Sequence, residues 1–87
     1  MAYEIHFDEK VVKRDIPAIP TANVGQIMRA IHERLTADPE RLGKPLYGEY
    51  SGMRRLRVGD WRIIYDVAYN SVYIHAIMLR RDSYKGR

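Results

Sequence analysis

The chain contains no cysteine, so neither a disulfide nor a thiolate-held metal can fasten it, and a reducing cytoplasm suits it. No apolar run approaches the roughly 20 residues that a membrane-spanning helix needs. The opening stretch MAYEIHFDEK lacks the charged-then-apolar order of a signal peptide. These absences predict a soluble, cytoplasmic protein with no membrane partner. Also missing are a glycine-rich nucleotide loop, a pair of histidines at metal-ligand spacing and a Ser/His/Asp set. The acidic residues are scattered and mostly in the first half, which argues against a carboxylate-held metal nuclease, so no metal or other cofactor is expected. At 87 residues the chain, 1–87, is expected to form one domain with a single modest core.

What the chain does have is positive charge, unevenly placed. The formal net charge is +4, yet residues 1–43 hold six Lys/Arg against seven Asp/Glu, whereas residues 44–87 hold nine against four. A basic half of this kind points to a polyanion, RNA or DNA, and an acidic protein surface fits the same field.

The basic half is organised around Met53 to Val67, MRRLRVGDWRIIYDV. Read with period two, Leu56 and Val58 share one face of a first strand while Arg55 and Arg57 share the other. In a second strand Trp61, Ile63, Tyr65 and Val67 form an apolar row, leaving Arg62 and Ile64 on the opposite side. Gly59 and Asp60 are turn formers between the two runs, so a hairpin is expected. A short turn brings Arg55 or Arg57 next to Arg62, and like charges facing each other on a sheet repel. Two readings stay open for that face. It is a solvated surface, or something anionic lies across it, with phosphate the natural candidate because the planar guanidinium fork matches its oxygens.

The other elements follow from pattern. Ala2 to Phe7 alternates as a half-buried strand, with His6 on its polar side. Asp8 is placed to cap a short helix through Val11, Val12 and Ile16, which Pro17 and Pro20 stop or kink. From Thr21 to Thr36, the positions Val24, Ile27, Met28, Ile31 and Leu35 make one helical stripe, capped by Thr21 or Asn23, with His32 facing solvent. Ala37 to Gly52 carries no sustained period and reads as an irregular link, held down by Leu42 and Leu46. Its Tyr47 and Tyr50 either stack on bases or buttress the sheet edge. Val72 to Leu79 is nearly continuous apolar sequence, as in a strand buried on both faces. Taking Val72, Ile74, Ala76 and Met78 as its core row puts Tyr73, His75, Ile77 and Leu79 on the cationic face.

The ordered set GKPLYGEYSG, RLRVGDWRIIY and the terminal RRDSY resembles the RelE/ParE superfamily of type II toxins, closest to its RelE-like members, over essentially the whole chain. The resemblance implies an α+β fold in β-α-α-β-β-β order, with two N-terminal helices on one face of a small antiparallel sheet. It implies a toxin that cleaves mRNA on the ribosome without a metal, by attack of a ribose 2′-hydroxyl on the adjacent phosphate. The implied partners are the ribosome with its mRNA and a cognate antitoxin, with DNA reached only indirectly through the antitoxin complex. Arg62 and Arg81 match family arginines, Arg55 matches a family lysine, and Tyr84 matches the C-terminal tyrosine at a shorter spacing. Arg54, Arg57, Arg80 and Lys85 are the accompanying candidate RNA contacts.

Where RelE-like toxins carry a second lysine two residues before Arg55, this chain has Met53. An arginine, with a pKa above about 12, does not act as a proton acceptor. His75 is the one side chain expected on the cationic face whose type titrates near neutrality, so it is a candidate acid or base. Two readings stay open beside this: a strand histidine simply bonded to a neighbour, and a reaction served by a ribosomal RNA group, a water or substrate distortion. The resemblance leaves two further readings open: a ParE-like poison of DNA gyrase, and a binding module without chemistry.

Overall fold

The computed structural model describes residues 2–80, so Arg81, Tyr84 and Lys85 lie outside the described residues. Strand β1, Glu4–Phe7, alternates as expected, with Ile5 and Phe7 packed on the core and Glu4 and His6 exposed. Asp8 opens helix α1, residues 9–18. Its carboxylate accepts the Lys10 N–H at 3.1 Å and its carbonyl the Val11 N–H at 2.9 Å, which satisfies donors that a helix start leaves orphaned. The middle of α1, Val11–Asp15, is a widened π turn, and Pro17 sits in the closing turn, Ile16–Ala18, before extended backbone at Ile19.

Helix α2, Thr21–Ala30, runs on through a π turn at Ile31–Leu35. It buries Ile27, Ile31 and Leu35, packs Val24 and Met28 beside them and leaves His32 exposed. Neither Thr21 nor Asn23 caps it with a side chain; the Pro20 carbonyl accepts the Asn23 N–H at 2.8 Å instead.

The stretch 37–52, expected to be irregular, contains a one-turn helix α3, Pro39–Leu42, a two-residue strand β2, Lys44–Pro45, and a 3-10 turn, Gly48–Tyr50. None is long enough to show a period. Leu46 is buried as expected, whereas Leu42 and Tyr47 are exposed.

Strands β3, Arg54–Val58, β4, Trp61–Ala68, and β5, Ser71–Leu79, complete a sheet of order β1-β5-β4-β3-β2. The fold is α+β, with both helices on one face, where Val11, Ile27, Ile31 and Leu35 meet Leu56, Ile63, Tyr65, Val72 and Ile74. The sheet is mixed, because β1 pairs in parallel with β5 while every other pair is antiparallel. A parallel pair needs a long crossover, and here the helices and β2–β4 lie between the two strands. The Gly59–Asp60 hairpin is present, with Gly59 at φ 60°, the position where a tight turn demands glycine. The corresponding place in the β4–β5 turn holds Tyr69, at φ 57° and 99% exposed.

The face assignment in β5 needs a correction. Ile64 pairs with Ala76 but Tyr65 with Ile74, so His75 is an extra residue in a β-bulge. A bulge reverses the alternation beyond it. Ile77 therefore belongs to the core, and Ala76 and Met78, rather than Ile77 and Leu79, share the face of Arg62.

Two polar contacts tie the layers together. Tyr65 is fully buried and its hydroxyl donates to the Pro39 carbonyl at 2.6 Å. Burial pushes that phenol above its ordinary 10.0, against the opposing pull of the Arg54 guanidinium. Beyond the last β1 partner, Ile74, the Ile77 N–H of β5 donates to Asp15 Oδ2 of α1 at 2.9 Å. Asp15→Ala is expected to strand that backbone donor and to cost about 1–3 kcal/mol, read as a lower urea midpoint; an unchanged midpoint refutes it.

Candidate functional site

The sheet face turned away from the helices is built in cross-strand rows. Arg57 lies directly opposite Arg62, which in turn pairs with Met78. Directly opposed residues have Cα atoms only about 4.5–5.5 Å apart, so two guanidinium groups start from adjacent positions. The next row runs Lys44, Arg55, Ile64 and Ala76. The third is Asp66, Tyr73 and His6. Ile64, 1% exposed and outside the helix-side core cluster, is the apolar centre of this face, with cations on two of its sides.

Arg62 is half-buried, and its Nε is buried with no hydrogen-bond acceptor among the described residues. A buried unpaired donor costs about 1–3 kcal/mol. With Arg57 facing it, Arg62 presents a guanidinium group whose charge no described residue on this face offsets; Arg54, on the helix side, likewise has a buried Nε without an acceptor among the described residues. Arg80 is exposed, and its N–H donates to the Asp60 carbonyl at 2.7 Å, which ties it to the hairpin turn at the Arg57–Arg62 end.

On the other side of Ile64, the bulge residue His75 brings its Nε2 to 3.0 Å from Asp66 Oδ1. The His6 and Tyr73 rings stack beside them at 4.9 Å between centroids, and Glu4 lies 3.3 Å from the His6 ring nitrogen.

Arg54 does not join this set. It pairs with Tyr65, on the helix side, and its Nη2 donates to the Gly43 carbonyl at 2.8 Å. There it lines a shallow cleft of about 170 Å³ with Glu40, Pro45, Gly52, Met53 and Val67. Thus Arg55, Arg57, Arg62 and His75 share one face, Arg80 stands at its end, and Arg54 lies behind it. Arg81, Tyr84 and Lys85 fall outside the described residues.

Two members of the face are additions to the sequence-based set. Asp66 follows from alternation along β4, two positions beyond Ile64. Lys44 had no such signal, because β2 is too short to announce itself.

Comparison with known proteins gives this face a context. The family model described as "ParE toxin of type II toxin-antitoxin system, parDE" matches residues 6–84. Toxin RelE of Mycobacterium tuberculosis is 32% identical over 74 residues, spanning 83% of this chain and 76% of that one. Toxin RelG of the same organism is 29% identical over 87 residues, spanning 98% and 99%. Among solved structures, a chain of the toxin–antitoxin complex RelBE2 from M. tuberculosis superposes with a TM-score of 0.84 at 26% identity, covering 92% of this chain and all of that one. The isolated E. coli RelE toxin gives 0.74 at 18% identity, over 95% and 89%, a likeness of fold. With the strand order, the helix-covered face and a match across most of its length all agreeing, the chain belongs to the RelE/ParE superfamily of type II toxin–antitoxin toxins.

Proposed function

We propose that the chain is a RelE-like toxin that cleaves ribosome-bound mRNA without a metal, with the cationic sheet face as its active surface. The observation that carries this reading is Arg62, set opposite Arg57, beside Arg55, with a buried Nε that no described residue satisfies.

The reaction asks for in-line geometry, stabilisation of charge on phosphorus and two proton transfers. The 2′-oxygen forms a bond to phosphorus as the bond from phosphorus to the 5′-oxygen breaks. The proton on the 2′-oxygen goes to a base, the departing 5′-oxygen takes a proton from water, and the message is left with a 2′,3′-cyclic phosphate. Arg62 and Arg55 hold the non-bridging oxygens as their charge grows, an effect strengthened when the ribosome-bound message shuts out water. Arg57 and Arg80 grip flanking phosphates. His75 is the proton acceptor, since no arginine takes that part and His6, the other histidine of this face, is stacked on Tyr73 and set against Glu4. Arg81 and Tyr84 belong to this proposal through the family match alone, Arg81 as a further phosphate clamp and Tyr84 as a stack for a base; Lys85 is a flanking contact.

The partners are the ribosome with its mRNA, which the cleavage reading requires, and a cognate antitoxin, carried over from the M. tuberculosis toxin–antitoxin complex. DNA is reached only through the toxin–antitoxin pair, and the site of action is the cytoplasm.

Induction without an antitoxin tests the reading. Amino-acid incorporation is expected to stop before plasmid supercoiling changes, with new message ends inside translated codons. Loss of supercoiling while message stays intact would favour the ParE-like reading, a poison of DNA gyrase.

A further inference from the structure

Resting on the nuclease reading above, we infer that Asp66 is a positioning residue that sets the tautomer of His75 and so makes it a competent base. The bulge in β5 exists at one residue, His75, and a bulge is a means of re-aiming a side chain at the cost of a ladder pairing. Among the described residues the re-aimed ring meets one carboxylate, with Nε2 3.0 Å from Asp66 Oδ1. An ionised carboxylate only accepts, so the neutral ring must carry its hydrogen on Nε2, leaving Nδ1 as the basic nitrogen. The two side chains are 30% and 39% exposed, reachable by a bound message rather than sealed in the core.

The charge pattern makes the pairing informative. A carboxylate on a face lined by Lys44, Arg55, Arg57 and Arg62 repels the phosphates those groups attract, and a surface built only to grip RNA gains nothing from it. The same carboxylate is useful once His75 takes the proton of the 2′-hydroxyl, because it then faces an imidazolium. Among the described residues the neighbouring ionisable groups have other engagements or positions. Tyr73 stacks on His6, Glu4 lies against His6, Arg55 is across Ile64, and Asp15 of α1 is engaged by the Ile77 N–H.

The test joins ring-nitrogen NMR of the free protein to single-turnover cleavage of ribosome-bound message. In the parent, His75 is expected as the Nε2–H tautomer. In Asp66→Asn the carboxamide can donate to Nε2 as well as accept from it, which releases the hold on the Nε2–H tautomer and lets Nδ1–H, with the basic nitrogen occupied, compete. Cleavage by Asp66→Asn is expected to fall by about a hundredfold with half-saturation for ribosomes unchanged, and His75→Ala combined with it should lower the rate no further than His75→Ala alone. Full cleavage by Asp66→Asn beside an inactive Arg62→Ala overturns the inference while leaving the nuclease reading in place. So does a lost rate in Asp66→Asn with the Nε2–H tautomer intact, or a loss of rate that only tracks a loss of folded protein. A parent that leaves ribosome-bound message uncut overturns the nuclease reading, whatever the tautomer.

Discussion

Arg62→Ala is expected to slow cleavage of ribosome-bound message by on the order of a hundredfold or more, and to do so without weakening the fold. Most inactivating changes in a sheet act by unfolding it. Here the two effects should part, because Arg62 sits opposite another cation and its buried Nε has no acceptor among the described residues. Alanine removes a like-charge pair worth roughly 0.2–1 kcal/mol and an unsatisfied donor, so the melting temperature should stay level or rise. Arg62→Lys separates charge from shape: the point charge remains, the two-pronged contact is lost, and activity should lie well below the parent. Quenched single-turnover cleavage and growth after induction measure the first effect, and thermal melting the second. Arrest of growth by Arg62→Ala as complete as that of the parent removes Arg62 from the reaction.

The largest expected loss of stability is at Gly43. Its backbone is ordinary, at φ −90°, so the constraint there is space. A β-carbon would stand 2.1 Å from the Tyr65 hydroxyl oxygen and 2.8 Å from the ring carbon that carries it. The ring has nowhere to retreat, being fully buried with its hydroxyl bonded to Pro39, while Gly43 is itself held through its carbonyl by Arg54. Overpacking of this kind costs about 1–3 kcal/mol, and displacing the hydroxyl adds about 1–2 kcal/mol for its lost bond. Gly43→Ala should therefore lower the melting temperature by roughly 10–40 °C, at about 4–8 °C per kcal/mol for a domain of this size. Tyr65→Phe removes the nearest clashing atom, so it should cost less in the Gly43→Ala background than alone. Equal costs in the two backgrounds, or an unshifted melting temperature for Gly43→Ala, refute this account.

Much of this architecture was legible before any coordinates. The stripe from Val24 to Leu35 specifies α2, and alternation from Leu56 to Val67 specifies the hairpin and its two unlike faces, because both patterns persist long enough to exceed chance. The same alternation places Arg54 with Leu56 rather than with Arg55, so its position behind the sheet is local information too. What pattern could not carry was the break in it. Nothing in VYIHAIML marks His75 as surplus, since apolar residues on both sides of it satisfy either phase. The parallel contact of β1 with β5 was hidden for a different reason: it is a bond between distant segments, and strand periodicity is silent on partners. Asp15 at the Ile77 N–H is of the same kind, a tertiary contact from a residue that looks like ordinary helix surface.

That pairing of the first strand with the last has a consequence for how the molecule comes into being. Ile5 meets Val72, so β1 must wait through the synthesis of everything between them, and closing so wide a loop delays its reward until late. The hairpin of β3 and β4 needs no such wait. The arginines can therefore find their register through a local pairing, whereas the row of His6, Tyr73 and Asp66 needs the long-range pairing of β1 with β5.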